Sequence, residues 1–472
     1  MGKSFRRDDL GQGLLLPPYL HDWLPEGHLA RFVAEIADEL ELGAIYASYG
    51  EKDGRGLSAY APVMMVRLLL YGYATGVYSS RRIQAKTYED VGFRYLSADE
   101  HPDHSTIAEF RKRHLKALAE LFTQALQMCA KAGLVKLGHV AIDGSKIKAN
   151  ASKHKAMSHE RLEEAEQRLR REIESLLAQA EATDAGEDAK YGRGKRGDEL
   201  PEELQRREGR LRKIAQAKAE LEREAKERAE RQRGEAEAKL AARRAQEKET
   251  GKKAGGRDPK LPNPEQAKPE AKAQRNFTDP ESRIMPDGAQ KGSFLQGYNA
   301  QAAVDGEAQV IVAADLTQQS NDSRQLLPML QQVKSNLGRL PEAASADAGY
   351  WSAANVADAS VAGVDLHIAT GREKHGASAA AASGPPRENA SPSEAMRHKL
   401  RTESGRAIYK RRKAIVEPVF GQIKEGRGFR RFSLRGLEKT RAEWRLVCLT
   451  HNLLKLFRSG WTPASPLQAS PA

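Results

Sequence analysis

Three acidic side chains stand where their surroundings could put them to chemical use. Asp143 closes the apolar run Val140-Ala141-Ile142 and is followed by Gly144-Ser145. Asp347 closes Ala344-Ser345-Ala346 and is followed by Ala348-Gly349-Tyr350. Glu417 lies in the amphipathic stretch from Ile415 to Lys424, within a basic part of the chain. Cleaving a phosphodiester at neutral pH requires an activated oxygen nucleophile and a stabilised leaving oxygen. Two divalent cations about 3.5–4 Å apart supply both. Magnesium is a hard ion held by a few carboxylates together with water and substrate phosphate, so Asp and Glu are the expected ligands. A single Asp at a strand end is more often a turn or capping residue. The weight therefore falls on the three together, in their order and contexts.

The composition agrees with a polyanionic substrate. The chain has 472 residues, with 77 Lys and Arg against 64 Asp and Glu, a formal net charge of +13. That length allows about two or three domains. The charge favours nucleic acid or an anionic surface as partner, although charge alone leaves a merely basic protein equally open. Cys129 and Cys448, the two cysteines, sit in apolar helical contexts without CxxC spacing. They read as small buried hydrophobes in a reducing compartment, not as a zinc site. The first residues, Met1 to Asp8, lack the apolar segment of a secretory signal. No stretch approaches the ~18 uninterrupted apolar residues of a spanning helix. The expectation is a soluble cytoplasmic protein with no membrane partner.

Elements must position these residues. Residues 1–135 read as short helices: Leu29 to Leu40, the apolar run from Pro62 to Tyr73, a segment ending near Asp90, and a helix capped at Ser105 or Thr106 that runs through Phe122. Arg81, Arg82, Arg111, Lys112 and Arg113 on such helices fit a DNA-binding module, or else a packing domain with a solvated basic face. Strands are expected at 138–149, 298–304, 309–315, 343–347 and 364–369. Asp305-Gly306 supplies a hairpin turn signal, and a helix is expected over 323–336. Residues 371–403 read as a loop and 404–458 as helical. This is an α/β order with a mixed sheet. Asp143 and Asp347 then project from one edge of an open sheet, where α/β proteins place their sites. Gly144 and Gly349 allow close approach, and Glu417 comes in from a packed helix.

Between the first two carboxylates lies a charged insert, residues 155–276. Leu162, Ala165, Leu169, Ile173, Leu176 and Ala180 form one apolar stripe. Leu211, Ile214, Leu221 and Ala225 form a second, with Lys218 in its seam. Residues 183–198 could reverse the chain. The insert reads as a helical hairpin or short coiled coil, acting as a solvated spacer or as an arm that pairs subunits or grips DNA.

These blocks resemble the DDE transposases of bacterial insertion sequences. The span from Leu24-Pro25-Glu26-Gly27-His28-Leu29 through Asp103-His104-Ser105-Thr106-Ile107 looks like their helical N-terminal domain. Ile142 to Ile147 looks like their first-Asp strand, Gly297-Tyr298-Asn299-Ala300-Gln301 like their second strand, and Asp347-Ala348-Gly349-Tyr350 like their second-Asp strand. The last block resembles the signature Tyr-(2)-Arg-(3)-Glu-(6)-Lys. Tyr409, Arg412, Glu417 and Lys424 fill it, with one extra residue between Arg412 and Glu417. On a helix of about 100° per residue, Lys413 and Lys424 fall within about 40° of Glu417, whereas Arg412 lies far round. Pro418 should kink that helix or mark a restart.

The resemblance implies a ribonuclease-H-like catalytic core in two parts, 136–154 and 277–460, behind a helical DNA-binding domain at 1–135, with a disordered tail at 461–472. Asp143, Asp347 and Glu417 would hold two Mg2+ or Mn2+ ions, Asp143 bridging both. Tyr409, Arg412, Lys413, Lys424, Arg427, Arg81 and Arg82 would contact DNA, and Trp351 is placed either to stack on a base or to fill the core. The implied activity is metal-dependent cleavage at transposon ends and strand transfer into double-stranded target DNA. A homodimer in the synaptic complex and a nucleoid-associated location go with it. The alternatives are a non-catalytic DNA-binding derivative of a transposase, a two-carboxylate glycosidase, which the basic charge disfavours, and a coiled-coil scaffold.

Overall fold

The computed structural model describes residues 19–49, 59–191, 202–251, 257–288, 290, 292–371 and 381–463. The N-terminal segment Met1–Asp8, the centre of the expected chain reversal in the insert and the end of the tail lie outside the described residues, as do residues 372–380 of the expected loop.

Among the described residues, seven α-helices precede the first strand: α1 (Leu29–Glu39), α2 (Gly43–Ala47), α3 (Pro62–Thr75), α4 (Ser80–Glu89), α5 (Val91–Leu96), α6 (His104–Arg113) and α7 (Leu115–Lys131). Their ends follow local chemistry. Pro62 opens α3, where a missing N–H costs nothing, and Gly76 closes it in the left-handed conformation at φ 82°. A Cβ on Gly76 would lie 2.7 Å from the Arg427 carbonyl oxygen, so this turn excludes larger residues. Asp90 caps α5 and Asp103 caps α6, each accepting from a backbone N–H. The expected cap at Ser105 or Thr106 is thus corrected to Asp103, and the chain breaks at His114 into two helices where one was expected.

β1 (His139–Lys148) follows. Then come β2 (Ala156–Ser158), α8 (His159–Tyr191), α9 (Glu202–Thr250), β3 (Gln274–Asn276) and β4 (Arg283–Pro286), of which the three short strands were not anticipated. The chain continues through β5 (Phe294–Asp305), β6 (Ile311–Thr317), α10 (Leu326–Leu337), β7 (Ala343–Ala346), α11 (Ala353–Ala357), β8 (Asp365–Ile368), α12 (Pro392–Lys399), α13 (Glu403–Gly421) and α14 (Leu437–Arg458).

The chain divides into two compact units, one of residues 1–148 with 298–472 and one of residues 149–297. The N-terminal helices therefore share a unit with the sheet. In the first unit the strand order is β6-β5-β1-β7-β8. β6 runs antiparallel to β5, whereas β1, β7 and β8 run parallel. Parallel strands are buried on both faces and read as apolar runs. That is why Val140, Ala141, Ile142, Ala344 and Ala346 are all essentially inaccessible. α14 packs against α7, α3 and β6. α13 lies across β1, β7 and β8.

α13 runs through Pro418 without restarting, and a π-helical turn, Gln422–Gly426, follows it. Proline at 418 has no N–H to offer the Ala414 carbonyl. The Gln309 amide nitrogen donates to that oxygen at 2.9 Å instead. Gln309, itself at φ 59° in the β5–β6 turn, is held by Lys455 and by His451.

In the second unit, Leu162, Ala165 and Leu169 of α8 pack on Ile214, Ala217 and Leu221 of α9. The ion pairs Lys218–Glu166 and Arg207–Glu172 advance in opposite chain directions, so the two helices are antiparallel. Lys218 resolves its seam position by reaching Glu163 and Glu166 across the hairpin. Arg275 of β3, with a nearly inaccessible side chain, joins Glu220 and Glu224 of α9.

Glu443 of α14 is wholly buried in the first unit. It accepts from the Tyr73 hydroxyl of α3 at 3.1 Å and from the Ser433 and Leu434 N–H groups. Arg111 of α6 donates to the same hydroxyl. Glu443→Ala strands these donors without water, so we expect a loss of about 3 kcal/mol or more. Urea unfolding checks this; a midpoint unchanged from wild type contradicts it.

Candidate active site

The register of β1 on β7 pairs His139 with Ala343 and Ile142 with Ala346. One residue further along this register, Asp143, midway along β1, stands level with Asp347, the residue that follows β7. Asp143 is mostly buried; its side chain retains 22% exposure. Its Oδ1 accepts from the Gly144 N–H at 2.7 Å, and its Oδ2 meets the Arg412 guanidinium of α13 at 3.2 Å. Burial pushes the Asp143 carboxyl up to about 6. Arg412 opposes that rise, while Asp347 and Asp322 add to it, because neighbouring carboxylates disfavour another negative charge. Asp347 caps its own short 3-10 turn, Ala348–Tyr350, by accepting from the Gly349 N–H at 2.8 Å.

Asp322, in the loop between β6 and α10, was not anticipated. Its Oδ1 accepts from Asn299 Nδ2 at 2.6 Å and Gln301 Nε2 at 2.7 Å, and its Oδ2 lies 3.5 Å from Lys146 Nζ. Gly144 is glycine for this reason: a Cβ there would stand 2.3 Å from Gln301 Nε2 and 2.8 Å from Asp322 Oδ1. A signal was available. Asn299 and Gln301 are polar residues in a strand that reads as a core strand, and buried amides require partners.

α13 divides the expected basic residues by face. Arg412 is buried against Asp143 and its guanidinium lies 5.8 Å from the centroid of the Tyr409 ring. Helical spacing had turned Arg412 away from the site and brought Lys413 into it. The structure reverses this: Arg412 faces the sheet, and Lys413 and Glu417 lie on the exposed side. Lys424, carried round by the π turn, donates to Ser145 Oγ of β1 at 2.6 Å. Arg427 was expected at DNA, but its guanidinium faces inward, donating to the Tyr73 and Val447 carbonyls and to Thr450 Oγ1. Arg111 is likewise spent on Tyr73 and the Tyr78 carbonyl. Arg81 and Arg82 are exposed at the start of α4, and Trp351 is partly buried. Cys129 and Cys448 are buried free thiols, both pushed well up by burial.

Asp143 and Asp347 offer hard oxygen donors side by side, the donor chemistry that Mg2+ or Mn2+ takes. Glu417 stays apart from this pair: among the described residues, no three His, Cys, Asp or Glu side chains converge closely enough to hold an ion.

The mixed sheet of the first unit, in the order β6-β5-β1-β7-β8 with Asp143 within β1 and Asp347 just beyond β7, is the ribonuclease-H-like arrangement, here joined to a helical N-terminal layer. The chain matches the Transposase domain (DUF772) family over residues 18–113 and the Transposase DDE domain family over residues 261–453. It belongs to the DDE transposases of insertion-sequence type. That family acts on DNA and generally uses divalent metal ions. The DDE match includes Asp322, Asp347 and Glu417, while Asp143 precedes it. No curated protein and no solved structure matches the chain. No helix among the described residues is long and apolar enough to cross a membrane.

The raised Asp143 carboxyl makes a pH prediction. Folding favours its protonated form, so its contribution to stability is full below the usual carboxylate value of 3.8 and is lost as pH rises through about 6. The difference is on the order of 3 kcal/mol. In EDTA, wild-type protein should lose stability between pH 4 and 7, and Asp143→Asn should lose less. Parallel denaturation curves across that range for the two proteins would contradict the assignment.

Proposed function

We propose that this protein is a catalytically competent transposase that cuts the ends of its element and joins the freed 3′-hydroxyl to target DNA. The observation that carries the reading is the level placement of Asp143 and Asp347 on adjacent parallel strands, with a buried Asp143 carboxyl that Asp347 helps to raise. Asp143 and Asp347 would hold the Mg2+ or Mn2+ ions; Glu417, on the exposed side of α13 and apart from the pair, would have to turn toward them to serve as the third ligand. Bound cations would supply activation of the attacking oxygen and charge neutralisation at the leaving oxygen.

The remaining work belongs to the protein. Arg412 sets the orientation of the Asp143 carboxylate and partly offsets its charge. Lys424, fixed on Ser145, places a cation one strand position beyond Asp143 and its glycine neighbour. Tyr409, Lys413, Arg81 and Arg82 contact DNA phosphates, which position the duplex without reading its sequence. In the first step a water oxygen bonds to phosphorus, and the 3′ oxygen leaves with a proton. In the second, that 3′-hydroxyl bonds to a target phosphorus and displaces the target 3′ oxygen. Two ends held together call for a homodimer, and a nucleoid-associated cytoplasmic location follows from the substrate.

Purified protein incubated with end DNA and Mg2+ should yield nicked product. Asp143→Ala, Asp347→Ala and Glu417→Gln should each slow that cleavage by about a thousandfold or more, since several kcal/mol of charge stabilisation is lost. End binding should survive in all three. Wild-type protein that binds ends but never cuts them would make the chain a non-catalytic derivative.

A further inference from the structure

The turn that carries Asp347 is only four residues long, and the Asp347 hydrogen bond to Gly349 is internal to it. Something else must hold the turn against the sheet. Two chains of hydrogen bonds do so, and both lead to residues 322–323. The Tyr350 hydroxyl, wholly buried, donates to Gln301 Oε1, and Gln301 Nε2 donates to Asp322 Oδ1 at 2.7 Å. Asn355 Nδ2 donates both to the Ser323 carbonyl at 2.7 Å and to the Tyr350 carbonyl at 3.1 Å. Asp322 is fixed in turn by Asn299 of β5 and faced by Lys146 of β1.

We propose that Asp322 is a positioning residue for Asp347, clamping its turn to β5 through Gln301 and Tyr350. The proposal rests on the reading of Asp347 as a metal ligand in its consequence, but the clamp itself is a property of the protein alone. One oxygen, Asp322 Oδ1, receives both β5 amides and so orients Gln301 to accept from Tyr350. Without it, Gln301 Nε2 and Asn299 Nδ2 both lose an acceptor in a buried strand, and the turn is free to shift relative to Asp143. Hydrogen-bonding partners of metal ligands typically change metal affinity by about 10–100-fold when removed.

Two measurements on the full chain test this. Amide hydrogen exchange of residues 347–351 in metal-free protein should be faster in Asp322→Ala and in Tyr350→Phe, which cuts the same chain at its other end without touching the Asp322 donors. Mn2+ binding to the DNA-free protein, followed by electron paramagnetic resonance, should weaken by about tenfold in each. The double variant should lose little more than either alone, because both interrupt one path. Asp322→Asn, which keeps an acceptor oxygen, should stay closer to wild type than Asp322→Ala. Unchanged exchange in folded Asp322→Ala and Tyr350→Phe overturns the clamp. Additive losses of Mn2+ binding in the double variant also overturn it. If exchange accelerates as expected but wild-type protein binds no Mn2+ that Asp143→Ala abolishes, the clamp stands and the proposed function falls.

Discussion

The parallel pairing of β1 with β7 governs the rest of the first unit. It brings Asp143 of β1 level with Asp347 just beyond β7, where Asp347 makes the buried Asp143 harder to ionise. A fold that holds such a pair must supply opposing charge from somewhere. Here α13 lies across both strands and brings Arg412 to Asp143. The same constraint explains the glycines that flank the pair. Gly144 leaves room for the amides beneath Asp143, and a Cβ on Gly349 would press on Asp347 Oδ1 at 3.0 Å. At Gly144 the close-packed polar groups leave no space for a methyl group.

The site is built from two faces of β1. On one face, Asp143 and Ser145 meet Arg412 and Lys424 from the C-terminal helix and its π turn. On the other, Gly144 and Lys146 meet a hydrogen-bonded group centred on Asp322. Alternation along a strand produces this division directly. The first face meets the cations of Arg412 and Lys424, and the second holds backbone and side chains in place.

Much of this was legible in the residues. The strands that carry Asp143 and Asp347 announced themselves as short apolar runs ending in Asp-Gly and Asp-Ala-Gly, and their neighbours β5, β6 and β8 fell close to their expected positions. What was not legible has physical causes. Helical periodicity places residues around an axis but does not say which side faces the sheet, so Arg412 and Lys413 exchanged roles. Arg427 looks like any exposed cation in sequence; only its nearness to the Tyr73 and Val447 carbonyls shows that it is a packing residue. Asp322 lies in a polar loop where an Asp is unremarkable, and its importance appears only when β5 brings Asn299 and Gln301 beneath it. β2, β3 and β4, of three or four residues each, are too short for alternation to register.

α14 is buried along most of its length and fills the space between α3, α7 and β6. Its partners are made early in synthesis, and it is made late. While the ribosome works through the intervening sequence, the apolar faces of α3 and α7 have no permanent cover. The helical layer thus cannot lock as it emerges; it waits for residues 437–458, and Glu443 then meets Tyr73 across 370 positions of chain. Topologically the N-terminal layer is finished from the other end of the message.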